Sequence, residues 1–536
     1  MQTGALTSGG NTVTNVANKD PAHDREMAHA ESATFFNEFF GNMMPPPLSK
    51  WTYDDMTKDD GFARFCFVGI GVIYIRTPDM KSANTKGSSA ATNEDHRSKS
   101  SCFDKDRKPP TGAAFCLDLQ WMSEYATRES FERYGATAYF NKERKPMEIH
   151  RPYAKHNEAK NHWGFQGQPK KDSNGKLLVL VSKPGDAHWE HMKWTLKVSV
   201  MTEITLIDHL LWAHLIVSNG VTRASRQELS IKNPIRQLLK PFTYRANTIN
   251  FSAFKTLFAK GGMADHWFGF TREALASYME TASRSYEYKD SAAVLLGGSG
   301  LTNNMDYLKK QVPLVADGIR LHKVFLEFAT SYVTLAYPEE TDLTKDAEVK
   351  SYWTHVDEGR LTGEVDATNA EGGPGKVLRS KYGPKKDGKP YKFGLPALNR
   401  DSLAKQLAHV MFYVTGYHRV VGNFADYLEE GSETLACVIR PAKNEGSVMD
   451  YFGINTLAAF TGFPQINLLN DWRHVFKTEV DQPFHDEAKK EKLYKILDKW
   501  QKDLVALAET IETESLTRPY LQHMMNPRHL DVSIAI

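Results

Sequence analysis

Cysteine is scarce in this 536-residue chain: four occur, Cys66, Cys102, Cys116 and Cys437, widely spaced and without a CxxC pair. That pattern excludes a thiolate zinc ribbon and a disulfide framework, and it predicts free thiols. Charge of one sign is missing too, since 67 basic residues are mixed with 65 acidic ones for a formal net charge of +2. No basic block asks for nucleic acid. The first twenty residues are polar, without a basic start and apolar follow-on, and no run approaches the roughly eighteen apolar residues of a membrane span. A soluble, cytoplasmic protein is therefore expected. Nucleotide and hydrolase signatures are absent as well. Gly69-Ile70-Gly71 lacks a third glycine at phosphate-loop spacing, Gly297-Gly298-Ser299-Gly300 lacks the Lys-Ser/Thr that should follow, and no GxSxG occurs.

What is present centres on Asp208–Asn219, an apolar run that carries His209 and His214 five residues apart. In an α-helix five residues turn roughly 500°, leaving the two rings about 140° apart. A local π turn, wider by one residue and common at functional sites, brings both imidazoles to one face. The pair then either binds a metal or consists of core histidines satisfied by hydrogen bonds. His188 and His191 have an HxxH spacing but not the HExxH arrangement, which favours ordinary hydrogen bonding, and His409 reads as a satisfied core residue.

Along the chain, residues 1–49 read as a polar tail followed by a phenylalanine stripe, Phe35, Phe36, Phe39 and Phe40, which ends at Pro45-Pro46-Pro47. Such a helix either packs on the core, covers a lipid entrance or touches a membrane surface. Thr77–Gly112 and Gly363–Lys392 are irregular and rich in turn formers, so both are expected to be loops. Apolar alternation at Ala138–Phe140 and Leu177–Val181 predicts a small antiparallel sheet. From Trp189 helices dominate: Met201–Asn219, Trp267–Ser285, and a last long one in which Leu493, Ile496, Leu497, Trp500, Leu504, Leu507 and Ile511 recur at three and four residues.

Several stretches resemble the lipoxygenase family. The paired histidines are followed by Asn233-Pro234-Ile235 to Thr248-Ile249-Asn250, similar to the family's run after its iron histidines, with Asn233, Lys240 and Phe242 standing where histidine is usual. Trp51–Ile75 and Gly318–Trp353 resemble two further family segments. The stretch Tyr417-His418-Arg419-Val420-Val421-Gly422-Asn423-Phe424 resembles the helix that supplies a histidine and, four residues later, an asparagine or histidine. Here His418 and Asn423 are five apart. Either a π turn restores Asn423 to the metal, which the resemblance favours, or Gly422 holds the position and the fourth protein ligand is missing or replaced by water. The ending at Ile534-Ala535-Ile536 resembles the family's C-terminus, whose last carboxylate coordinates iron. An apolar final residue suits a carboxylate carried into a low-dielectric interior.

The resemblance covers roughly residues 50–536 and implies a mostly α catalytic domain, with long central helices around non-haem iron and a small antiparallel β subdomain. It implies a compact form without the amino-terminal β-barrel of plant and animal members. The implied metal ligands are His209, His214, His418, Asn423 and Ile536, an N/O-rich set that suits iron better than closed structural zinc. Ala253, Leu257 and Ala264 are implied to line the substrate and oxygen pocket. The implied reaction takes a hydrogen atom from a doubly allylic methylene of a polyunsaturated fatty acid, after which O2 adds to give a hydroperoxide. Alternatives are an iron-dependent hydroperoxide isomerase, an oxygenase of another unsaturated substrate, and a redox-silent lipid-binding homologue.

Overall fold

The structure is a computed structural model that describes residues 58–78, 102–103, 105–129, 131–157, 162–250, 262–284, 286, 288, 305–358, 392–422, 439, 466–476, 482–518 and 525–534. The chain divides into two compact units, each assembled from three separated segments: residues 1–205, 261–278 and 423–463 in one, and residues 206–260, 279–422 and 464–536 in the other. The phenylalanine stripe at 35–40 and most of the irregular Gly363–Lys392 segment lie outside the described residues.

The first unit is built on a five-stranded antiparallel sheet in the order β1 (Ile75–Arg76), β2 (Phe115–Asp118), β3 (Thr137–Phe140), β4 (Pro146–Pro152) and β7 (Val179–Ser182). The alternation expected at 138–140 and 177–181 thus falls on two of its strands. A two-stranded ribbon, β5 (Lys155–Asn157) with β6 (His162–Gly164), accompanies it. All four residues of β3 are buried, as befits a central strand covered on both faces. Helix Asp59–Phe67 supplies part of the cover, with the Phe62 ring 5.8 Å from Phe140 and the Phe67 ring 5.0 Å from it. Before β3 the chain bends at Gly135, where φ is +96° and a Cβ would lie 2.7 Å from the Leu119 carbonyl oxygen, so only glycine fits.

The sheet corrects one expectation. Cys102 and Cys116 are joined as a disulfide, with Cα atoms 6.6 Å apart, so these two are not free thiols. They are fourteen residues apart with a loop between them, and only the placement of β2 brings them together. Cys66 remains a buried free thiol whose pKa burial pushes up, and Cys437 lies outside the described residues.

The second unit is helical. Its central helix, Pro313–Ala336, starts with proline at the first turn, where no N–H is needed, and packs on Arg400–Phe412 and on Glu487–Ser515. Asn399 and Asp486 cap those two partners through their side chains. The apolar stripe read from Leu493 to Ile511 is buried along Glu487–Ser515 at every position except Ile496, which is partly exposed. Trp500 anchors this face, stacked on Phe328 with centroids 4.0 Å apart and tilted against Trp472 at 4.6 Å. Beside it Arg518 and Asp317 form a buried pair at 2.8 Å, and Arg320 reaches Glu514 at 2.7 Å.

One described helical stretch, Trp189–Glu228, is long and apolar enough to cross a membrane by length and composition alone. Its apolar window is 94% buried inside the protein, the setting of a core helix.

Candidate metal centre

Residues Ile204–Ser218 form a continuous π helix. Widened i→i+5 bonding makes a five-residue step return to nearly the same face, so His209 and His214 converge, with Nε2 atoms 3.1 Å apart. A third imidazole arrives from helix His418–Gly422, its Nε2 3.2 Å from that of His209 and 3.1 Å from that of His214. Another π segment, Tyr413–Tyr417, precedes it directly. Among the described residues this is the one group of three or more histidine, cysteine or acidic side chains that converges closely enough to share a metal ion. The other histidines singled out above are engaged elsewhere. His191 meets Glu132 at 2.8 Å, and His409 Nε2 lies 3.0 Å from the Tyr286 hydroxyl.

Two further contacts shape the group, and neither is legible from residue spacing. Asn250 Nδ2 donates to the His214 carbonyl at 3.1 Å, which turns its Oδ1 toward His214 Nδ1 at 3.0 Å. Facing an acceptor, Nδ1 must carry the hydrogen, so in the neutral ring the Nε2 lone pair points at the other two histidines. Tyr417, just before His418, donates to Oδ1 of Asp208, just before His209, at 2.7 Å. This buried hydrogen bond ties the two histidine-bearing helices together one residue ahead of each ring. The signal for both was present only as residue type: an amide after an apolar run and a carboxylate inside one.

All three rings are held neutral. Burial pushes His209 well below the ordinary histidine range, with His214 and His418 adding to the effect. His214 is pushed down by burial to about 4, against the opposing effect of the hydrogen bond it donates to Asn250. His418 is lowered by burial, then by His214 and Arg419. Unprotonated imidazoles are what a metal requires. The distances fit as well. Three nitrogens on one face of an octahedron about 2.1 Å from its centre stand roughly 3.0 Å apart, close to the spacing found here.

Gly422 closes one side of the group. A Cβ at this position would lie 2.6 Å from His209 Nε2 and 3.0 Å from His418 Nε2. Of the other residues expected at the site, Asn423, Ile536, Ala253 and Leu257 lie outside the described residues. Ala264 is buried in the short helix Met263–Trp267, which belongs to the first unit. The described part of the C-terminal segment is pinned inside the second unit. Leu530 accepts from the Leu468 N–H at 2.7 Å, the Val532 N–H donates to Ile466 at 2.8 Å, and Ile534 is fully buried.

Comparison with known proteins points one way. The Lipoxygenase family model matches residues 167–372. Linoleate 9S-lipoxygenase 2 of Oryza sativa subsp. japonica is 26% identical over 178 residues, which is 32% of this chain and 20% of that protein. Lipoxygenase 2.2, chloroplastic, of Hordeum vulgare is 27% identical over 251 residues, 45% of this chain and 24% of that one. The matched segments thus span about a quarter or less of these relatives. Among solved structures, that of coral 8R-lipoxygenase superposes with a TM-score of 0.63 at 16% identity, covering 96% of this chain and 75% of that one. That likeness gives the fold, a mostly α lipoxygenase-like architecture with a small antiparallel sheet.

Proposed function

We propose that the chain is a lipoxygenase-family, non-haem iron dioxygenase converting a polyunsaturated fatty acid and O2 into a lipid hydroperoxide, a reading supported by the family match and the lipoxygenase-like fold. The observation that carries this reading is the triangle of neutral Nε2 atoms from His209, His214 and His418, 3.1–3.2 Å apart. Iron, if held there by these three imidazoles, would supply the one-electron chemistry needed at the methylene between two double bonds of such a substrate.

The residues have separate duties. His209, His214 and His418 would hold the metal through neutral nitrogens, and the C-terminal carboxylate of Ile536 is proposed as the anionic ligand that would lower its charge in a dry interior. Asn250 sets the tautomer and plane of His214 through paired hydrogen bonds. The Asp208–Tyr417 hydrogen bond keeps the two histidine-bearing helices in phase. Ala253 and Leu257 are proposed to line the pocket against the reactive part of the acyl chain, where placement and exclusion of water decide the carbon oxygenated.

Metal analysis joined to oxygen uptake on a panel of unsaturated acids tests the reading. Stoichiometric iron with oxygen uptake on linoleate is expected. Iron with turnover only of a hydroperoxide would replace the dioxygenase by an isomerase, and lipid binding without iron would replace it by a redox-silent binding protein. A few residues appended after Ile536 should abolish uptake, whereas Ile536→Val should be mild; full activity in the extended chain would remove the carboxylate from the ligand set.

A further inference from the structure

We propose that Gly422 occupies the position beside His418 where a fourth protein ligand would stand, so that this helix offers the metal one imidazole and no second side chain. The inference rests on the metal reading of the three histidines. Its first support is angular. His418–Gly422 is α-helical, and the widened turn Tyr413–Tyr417 lies before His418 rather than after it. Four residues of α-helix turn roughly 400°, which brings residue 422 within about 40° of the face bearing His418.

The second support is steric. The first carbon of any side chain at 422 would stand 2.6 Å from His209 Nε2, 2.8 Å from His209 Cδ2 and 3.0 Å from His418 Nε2. The atoms that would have to yield are the proposed metal-binding nitrogens themselves. Nor does the backbone call for glycine, because residue 422 is helical and is not among the glycines with positive φ. Within a helix glycine is a poor choice relative to alanine. The absent side chain is therefore what the position uses, and the coordination place it would have filled is left to a small exogenous ligand, water or an anion the size of azide.

The test uses the full chain and two variants, Gly422→Ala and Asn423→Ala, each titrated with Fe(II) and separately with Co(II), with helix content followed by circular dichroism. Wild type should bind one metal. Gly422→Ala should keep its helix content while its metal affinity falls by about tenfold or more, and Asn423→Ala should stay within about twofold of wild type. Wild-type affinity in Gly422→Ala would overturn the proposal, as would a loss in Asn423→Ala as large as that in His418→Ala. Should Gly422→Ala fail to fold, Asn423→Ala decides by the same criterion. A wild-type chain that takes up neither metal would defeat the histidine reading itself, a failure distinguishable from the other two.

Discussion

Each unit sets histidine in a polar group, half-buried in the first and buried in the second, and the two groups are opposites. In the first unit His191 and Arg151 both meet the carboxylate of Glu132, at 2.8 and 2.7 Å, and the Arg151 guanidinium also lies 3.8 Å from the Phe165 ring centroid. The Glu132 carboxylate there is met by the Arg151 cation, so the acid has its partner within the protein. In the second unit three imidazoles turn their Nε2 atoms toward one another, with no acidic or cysteine side chain joining them among the described residues. Lone pairs at that separation require a proton or a cation between them. In this chain the histidine facing a carboxylate sits in an ion-paired cluster, while the three that face one another form the candidate metal site.

Removing a ring should separate the two cases most sharply. His209→Ala, His214→Ala and His418→Ala should each lower metal affinity by more than ~100-fold and abolish oxygen uptake with it, as seen by elemental analysis of the purified variants. Full metal occupancy with unchanged turnover would break the comparison. In the first unit, Arg151→Met leaves a buried carboxylate without its cation and should destabilise the protein by about 3–5 kcal/mol in denaturant titration, while the folded fraction keeps its metal stoichiometry.

Acid should act on the first cluster in a defined window. Burial alone would raise the Glu132 carboxyl, but Arg151 and His191 hold it down to about 2, from an ordinary 4.5. Its contribution to stability is therefore full above about pH 4.5 and is lost as pH falls toward 2, because the unfolded chain takes the proton first. Glu132→Gln should flatten the loss of stability between those pH values, and an unchanged acid-unfolding profile would count against the pairing. The mildest effect is expected from Asn250→Ala, which leaves all three rings but frees the plane of His214. Metal affinity should drop by about 10–100-fold with little change in fold, measured by competition against a chelator.

How much of this was legible in the sequence follows from the range of each interaction. His209 and His214 could be paired because five-residue spacing is a local property, and only a widened helix makes sense of it. The last helix was legible from the period of Leu493 to Ile511, and two strands from their alternation. Asn250 and the Asp208–Tyr417 bond were not, since the partners lie 36 and 209 residues apart and nothing in their own neighbourhoods announces the contact. The Cys102–Cys116 pair was missed for the same reason. Helix Trp189–Glu228 marks another limit: a core helix and a membrane helix can share a composition, and only the surroundings tell them apart.

The π run Ile204–Ser218 also has a consequence beyond the histidines it contains. It flows directly into helix Asn219–Glu228, whose last residue accepts from Ser351 at 2.6 Å and meets His355 at 2.8 Å. Taking one residue out between His209 and His214 would restore the four-residue spacing that an ordinary α-helix needs. It would also rotate everything downstream by roughly 100° and swing Glu228 away from both partners. The surplus residue therefore works as a vernier, letting one unbroken rod meet two rotational demands that a uniform α-helix could not satisfy together.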